Sequence, residues 1–166
     1  MKKRILILLC AMALSPAVFA SGSQNFFKLH IFDNDTREIK SLLNSQVRYA
    51  NRTNFNKFIA TYDKDYVNAD GFNLETYSNL VKDVWDTYDN IVYGIKIKDI
   101  SVKDDSATVE VTETSYADIP VSSTMDGVLT SESNSIYYLK KNDGDWKVAS
   151  DKVLSETTSM LYGDAK

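Results

Sequence analysis

The hydrophobic pattern of this chain changes period once, near Asn90, and that change limits what each half can fold into. Before it, apolar residues return every three or four positions; after it, every second position. The first spacing buries one face of a helix and the second buries one face of a strand. The expected order is helices first and an antiparallel sheet afterwards. This is an α+β arrangement in which the helices cover the apolar face of the sheet.

Ile39, Leu42, Leu43, Gln46, Val47 and Ala50 form the first helical stripe. Asp35 reads as its cap, with Glu38 three residues on completing a capping box. A short second helix begins near Asn54 and sets Phe55, Phe58, Ile59 and Tyr62 on one side. Residues 63–71 are rich in turn formers. A third helix runs from about Leu74 to Tyr88, capped by Asn73, with Tyr77, Leu80, Val81, Val84, Trp85 and Tyr88 as its stripe. Beyond Asn90, Ile91, Tyr93, Ile95 and Ile97 alternate with polar residues, as do Ala107, Val109 and Val111. Asp104-Asp105 marks a turn, and a loop lies between Pro120 and Gly127. A strand over Ser135–Lys141 returns through Asn142-Asp143-Gly144-Asp145 to Trp146, Val148 and Ser150. Met160, Leu161 and Tyr162 read as an apolar patch that packs the C-terminus down. The pattern leaves the facing directions open, because a slip of one residue turns a strand over.

Lys2, Lys3 and Arg4 precede an apolar run from Ile5 to Leu14, a Ser15-Pro16 break and the segment Ala17-Val18-Phe19-Ala20. These are the parts of a bacterial secretory signal peptide cut after Ala20. The expected divisions are a leader over 1–20, an apolar lead-in over 21–34 containing Phe26 to Phe32, and one domain over 35–166. The run Ile5 to Leu14 is too short to span a bilayer, and no other run approaches that length. The expectation is a periplasmic or secreted protein that is not membrane-spanning. Cys10, the single cysteine, lies in the leader behind Leu9, where a lipoprotein signal needs a small residue. The rest of the chain has no thiol or disulfide chemistry. The net charge of −4 includes the leader's three cations. An acidic chain with no basic stripe is unsuited to nucleic-acid backbones.

Reagents for catalysis are scarce. His30 is the only histidine, and it stands in the lead-in without evident partners. Asp63, Asp65 and Asp70 fall in the turn-rich stretch, where Asp serves local hydrogen bonding. A calcium loop fails there, since Gly71 at the sixth position puts Tyr66 first and Tyr77 twelfth. The stretch 122–127 fails likewise, with Ser133 twelfth. There is no Gly-x-Ser-x-Gly and no phosphate-cradling loop. No catalytic residue, metal or cofactor is expected.

In their order along the chain, five segments resemble the nuclear transport factor 2-like superfamily. They are the stripe Ile39 to Tyr49, Phe58-Ile59-Ala60-Thr61-Tyr62 leading to Asp65-Tyr66, the third helix ending at Trp85-Asp86, the strand Ser106–Val111 and the closing Asp143–Val148. The resemblance covers most of the chain beyond the leader. It implies a cone of three N-terminal helices packed on a curved antiparallel sheet around a pocket, with many members forming a homodimer through the sheet. Members include isomerases, dehydratases, small-molecule binders and interaction domains, and the fold does not choose among them. The pocket histidines of dehydratase-like members have no counterpart here. Isomerase-like members hold a buried carboxylate against tyrosines. On this resemblance Asp63, Asp65 and Asp70 lie near the pocket mouth. Among ten tyrosines and two tryptophans, the pocket candidates are Tyr66, Trp85, Tyr88, Tyr93, Tyr116 and Tyr138, each an apolar body with a polar tip. The expected function is non-catalytic binding of a small apolar or amphipathic ligand. The alternatives are an envelope protein–protein interaction module and an isomerase-like enzyme with a buried Asp base.

Overall fold

In the computed structural model, which describes residues 31–120 and 127–162, three helices precede four strands. The leader, His30 and residues 121–126 lie outside the described residues. The helices are α1 (Ile31–Ala50), α2 (Phe55–Ile59) and α3 (Leu74–Thr87). The strands are β1 (Asp89–Lys103), β2 (Ser106–Ile119), β3 (Gly127–Asn142) and β4 (Asp145–Tyr162). They form one antiparallel sheet in the order β1-β2-β3-β4. The α+β class follows from the change of period, which falls at the α3–β1 junction.

α1 begins earlier than its apparent cap, so Asp35 lies inside the helix and not at its end. The reason is a stronger demand on its carboxylate. Lys141 Nζ on β3 donates to Asp35 Oδ1 at 2.7 Å, and Trp146 Nε1 on β4 donates to the same oxygen at 3.2 Å. The lysine's hydrogen bond is the main cause that holds the Asp35 carboxyl below its ordinary proton affinity. Glu38 joins the group, accepting from Lys141 at 3.1 Å. The other two helices are capped by side chains, α3 by the expected Asn73 and α2 by Asn54. Asn54 accepts from the Lys57 N–H at α2, and Asn73 accepts from the Thr76 N–H at 2.9 Å at α3. Asn73→Ala should lower stability by about 1 kcal/mol, read by urea denaturation. An unchanged midpoint would show that packing alone sets where α3 starts.

Asp143 and Gly144 turn β3 into β4 with φ of 51° and 89°, the left-handed pair that a two-residue hairpin requires. The strands extend beyond the expected ends. Met160 and Leu161 continue β4 opposite Leu129 and Val128, and they are 44% and 65% exposed. The expected packed-down patch is therefore the partly exposed end of a strand paired with β3.

Register fixes which residues face the helices. Ala107, Val109 and Val111 on β2, Tyr137 and Leu139 on β3, and Trp146 and Val148 on β4 are buried against Ile39 and Leu43 of α1. Farther along the same inner face the residue type changes. β2 presents Glu113 and Ser115, β3 presents Ser135, Ser133 and Ser131, and β4 presents Asp151, Glu156 and Thr158. One end of the sheet is filled by apolar side chains and the other is polar.

β4 reaches this arrangement through two bulges, at Ala149 and Leu154, each adding a residue with no partner on β3. The first shifts the inward phase from Val148 to Asp151, and the second shifts it from Val153 to Glu156. The segment 61–69 lies along β4 and holds the first bulge in place. The Val67 N–H donates to the Ala149 carbonyl at 3.3 Å and the Ala69 N–H to the Asp151 carbonyl at 2.9 Å. Among the described residues no helix is long and apolar enough to cross a membrane.

Candidate functional site

Where the inner face turns polar, a cavity of about 180 Å³ opens between the sheet and α3. Its apolar wall comes from Phe58 on α2, Tyr77, Val81, Val84 and Trp85 on α3, and Ile91 on β1. The helical spacing of α3 aims this stripe at the sheet. A continuous run of ring contacts fixes the wall. Phe55 and Phe58 pack on Trp85, Phe58 on Tyr62, and Tyr62 and Tyr66 on Tyr77, with centroids 4.9–6.1 Å apart. Such tilted and edge-on pairs add to the area they bury, so the wall is stiff.

The opposite side is polar and acidic. Glu113, Asp151 and Glu156 all line the cavity, with Ser131, Ser133 and Thr158 between them. Tyr93 and Tyr137 both donate their hydroxyls to Glu113 Oε1, each at 2.5 Å. Tyr66 donates to Asp151 Oδ1 at 3.1 Å. Ser131 and Thr158 donate to Glu156 Oε1, each at 2.9 Å. Burial pushes the Asp151 carboxyl up to about 6, the Glu113 charge adds to that rise, and the Tyr66 hydrogen bond partly opposes it. Burial likewise drives the hydroxyls of Tyr62, Tyr66, Tyr93 and Tyr137 well above their ordinary range, so they stay neutral donors.

Four of the six aromatic candidates border this cavity. Trp85, Tyr88 and Tyr93 line it, and Tyr116 stands at its rim, 39% exposed, with its hydroxyl on Asp118 at 2.9 Å. Tyr66 lies behind the lining and acts through Asp151. Tyr138 is outside the cavity, on the outer face opposite Thr108 and Ser150. Neighbouring strand residues face opposite ways, and the register turns Tyr137 inward instead.

The turn carboxylates are not part of the site. Asp63 is buried, but it accepts from the Asp65 N–H and the Asn142 side chain, a structural clasp. Asp65 and Asp70 are exposed. The carboxylates that reach the cavity are on strands. The sequence did carry a signal for them: Ser131, Ser133 and Ser135 repeat with a period of two, so β3 offers hydroxyls where a filled core needs apolar groups. Among the described residues no group of His, Cys, Asp and Glu side chains is placed to hold a metal ion. A larger groove of about 560 Å³ runs over α1, α2 and the β3–β4 hairpin, but it is more open and mixed in charge, with Glu38, Lys57, Asp145 and Lys147.

Residues 41–159 match the family described as the anti-sigma-I factor RsgI9, C-terminal domain. Solved structures share the fold at low identity. A candidate scytalone dehydratase from Novosphingobium aromaticivorans is 15% identical with a TM-score of 0.66, covering 81% of this chain and 92% of its own. A hexachlorocyclohexane dehydrochlorinase, LinA type 2, is 12% identical with a TM-score of 0.61, covering 77% and 90%. A protein of unknown function with a cystatin-like fold from Nostoc punctiforme is 16% identical with a TM-score of 0.57, covering 72% and 90%. No curated protein matches the sequence. These likenesses show a shared cystatin-like α+β fold, found in chains that include enzymes and a protein of unknown function.

Proposed function

Because the chain belongs to the family of the C-terminal domain of the anti-sigma-I factor RsgI9, we propose that it is a binding domain, exported behind a leader cut after Ala20, whose cavity takes a small amphipathic molecule without transforming it. One observation carries this reading. The cavity pairs a stiff aromatic wall with a strip of hydroxyls and carboxylates, so it has an apolar side and a polar side set by different elements. The family's description supports it too, since it names a domain of an anti-sigma factor. The test compares native and denatured masses of the protein purified from its own host's envelope. A discrete extra mass that vanishes on denaturation, and is lost in Trp85→Ala, is the expected result. A bare protein mass, together with no thermal shift across a panel of small amphipathic compounds, would remove the reading. The same spectrum tests whether the protein forms a homodimer, as the resemblance implies through the sheet.

One observation favours a second reading, an isomerase-like enzyme. Asp151 is a cavity carboxyl with raised proton affinity beside a tyrosine hydroxyl, the setting of a general base near neutral pH. Turnover of a bound compound that Asp151→Asn abolishes would establish it. Tight binding with no turnover would leave the binding reading alone.

A further inference from the structure

We propose that the ligand of this cavity is an organic cation, a protonated amine on a body about one ring in size. The inference rests on the binding reading above and adds the charge and size of what binds. Three carboxylate side chains line the cavity, and among the described residues no Lys, Arg or His lines it. Each carboxylate commits one oxygen to the protein: Glu113 Oε1 to two tyrosines, Asp151 Oδ1 to Tyr66, and Glu156 Oε1 to Ser131 and Thr158. The second oxygen of each receives no donor from the described residues. All five donors are neutral hydroxyls, so the protein orients these groups without balancing their charge. Elsewhere the chain does balance one: Asp35 and Glu38 share the Lys141 ammonium. An ammonium group in the cavity would meet carboxylate oxygens on the sheet side and the aromatic residues Tyr77 and Trp85 of α3 on the other, and aromatic rings attract cations. An anionic ligand would face like charge in a partly desolvated site.

The arrangement suits an organic ion better than a metal, because the carboxylates are spread around the cavity and do not converge on a metal-holding point. The volume sets the size. A cavity of about 150 Å³ takes one benzene ring, and this one measures about 180 Å³.

Three probes of matched shape test the charge: 2-phenylethylammonium, 2-phenylethanol and 3-phenylpropanoate, titrated calorimetrically into the chain from residue 21 onward at pH 7.5. The ammonium should bind roughly tenfold or more tighter than the alcohol, the scale set by one partly screened charge pair, and the carboxylate weakest of all. The isosteric pair Asp151→Asn with Glu156→Gln should close the gap between ammonium and alcohol. Circular dichroism would establish that the variant is folded. Binding of the alcohol or carboxylate as tight as the ammonium overturns the charge assignment while leaving a binding cavity. Silence from all three probes overturns this assignment, and only a missing co-purified mass as well would remove the binding reading.

Discussion

Trp146→Ala should lower the unfolding free energy by about 3–5 kcal/mol, a large part of the stability of a domain this size. The indole is 4% exposed at the filled end of the sheet and contributes both packing and a donor. Its Nε1 bonds Asp35 on α1, and the Lys141 ammonium sits 5.7 Å from the ring centre. Truncation would leave a cavity and remove one of the two groups that hold a buried carboxylate. Trp146→Phe separates the two effects. It keeps most of the buried area and loses only the donor, so about 1–3 kcal/mol is expected. Equilibrium urea denaturation reads both. A Phe variant as damaged as the Ala variant would show that the hydrogen bond, and not the ring, ties α1 to the sheet.

Asp151→Asn should stabilise the protein at pH 8 and leave it unchanged near pH 4. The folded state raises the Asp151 proton affinity from 3.8 to about 6, so folding favours the protonated form. Its contribution is fully present below about pH 4 and is lost as the pH rises through 6. The loss is on the order of 3 kcal/mol for a fully protected group, and less where water reaches it. Asn keeps the shape and an oxygen for Tyr66 but carries no charge, so the gain at pH 8 should be on the order of 1–3 kcal/mol. Denaturation midpoints at pH 4 and pH 8 decide it. An equal change at both values would assign the effect to shape and not to charge. A variant more stable and weaker in cation binding would show that the cavity is kept acidic at a cost to the fold.

Much of the fold was legible because its signals are local. The period change at Asn90, the start of α2 near Asn54, the cap Asn73 and the Asp143-Gly144 turn depend on residues a few positions apart. Asp35 was misread for the converse reason. Its role depends on Lys141 and Trp146, more than a hundred residues away, and a Glu three positions on imitates a capping box. The cavity lining was half legible. Trp85, Tyr88 and Tyr93 fall on it because α3 and β1 keep their periods. Asp151 was hidden by the first bulge, since counting in twos from Trp146 and Val148 sends it outward, whereas the second bulge restores that count at Glu156. Tyr138 was chosen over Tyr137 because composition cannot rank two adjacent tyrosines.

The bulge at Ala149 also bears on how the charge of the cavity could change. Unbulged, β4 would present Ser150 and Lys152 to the interior and turn Asp151 and Val153 outward. A basic group would then stand where a carboxylate now does, without the substitution of any residue. The phase of this one strand, held by the 61–69 segment, thus decides whether an acid or a base faces the cavity at this level, while Glu113 keeps its place on β2.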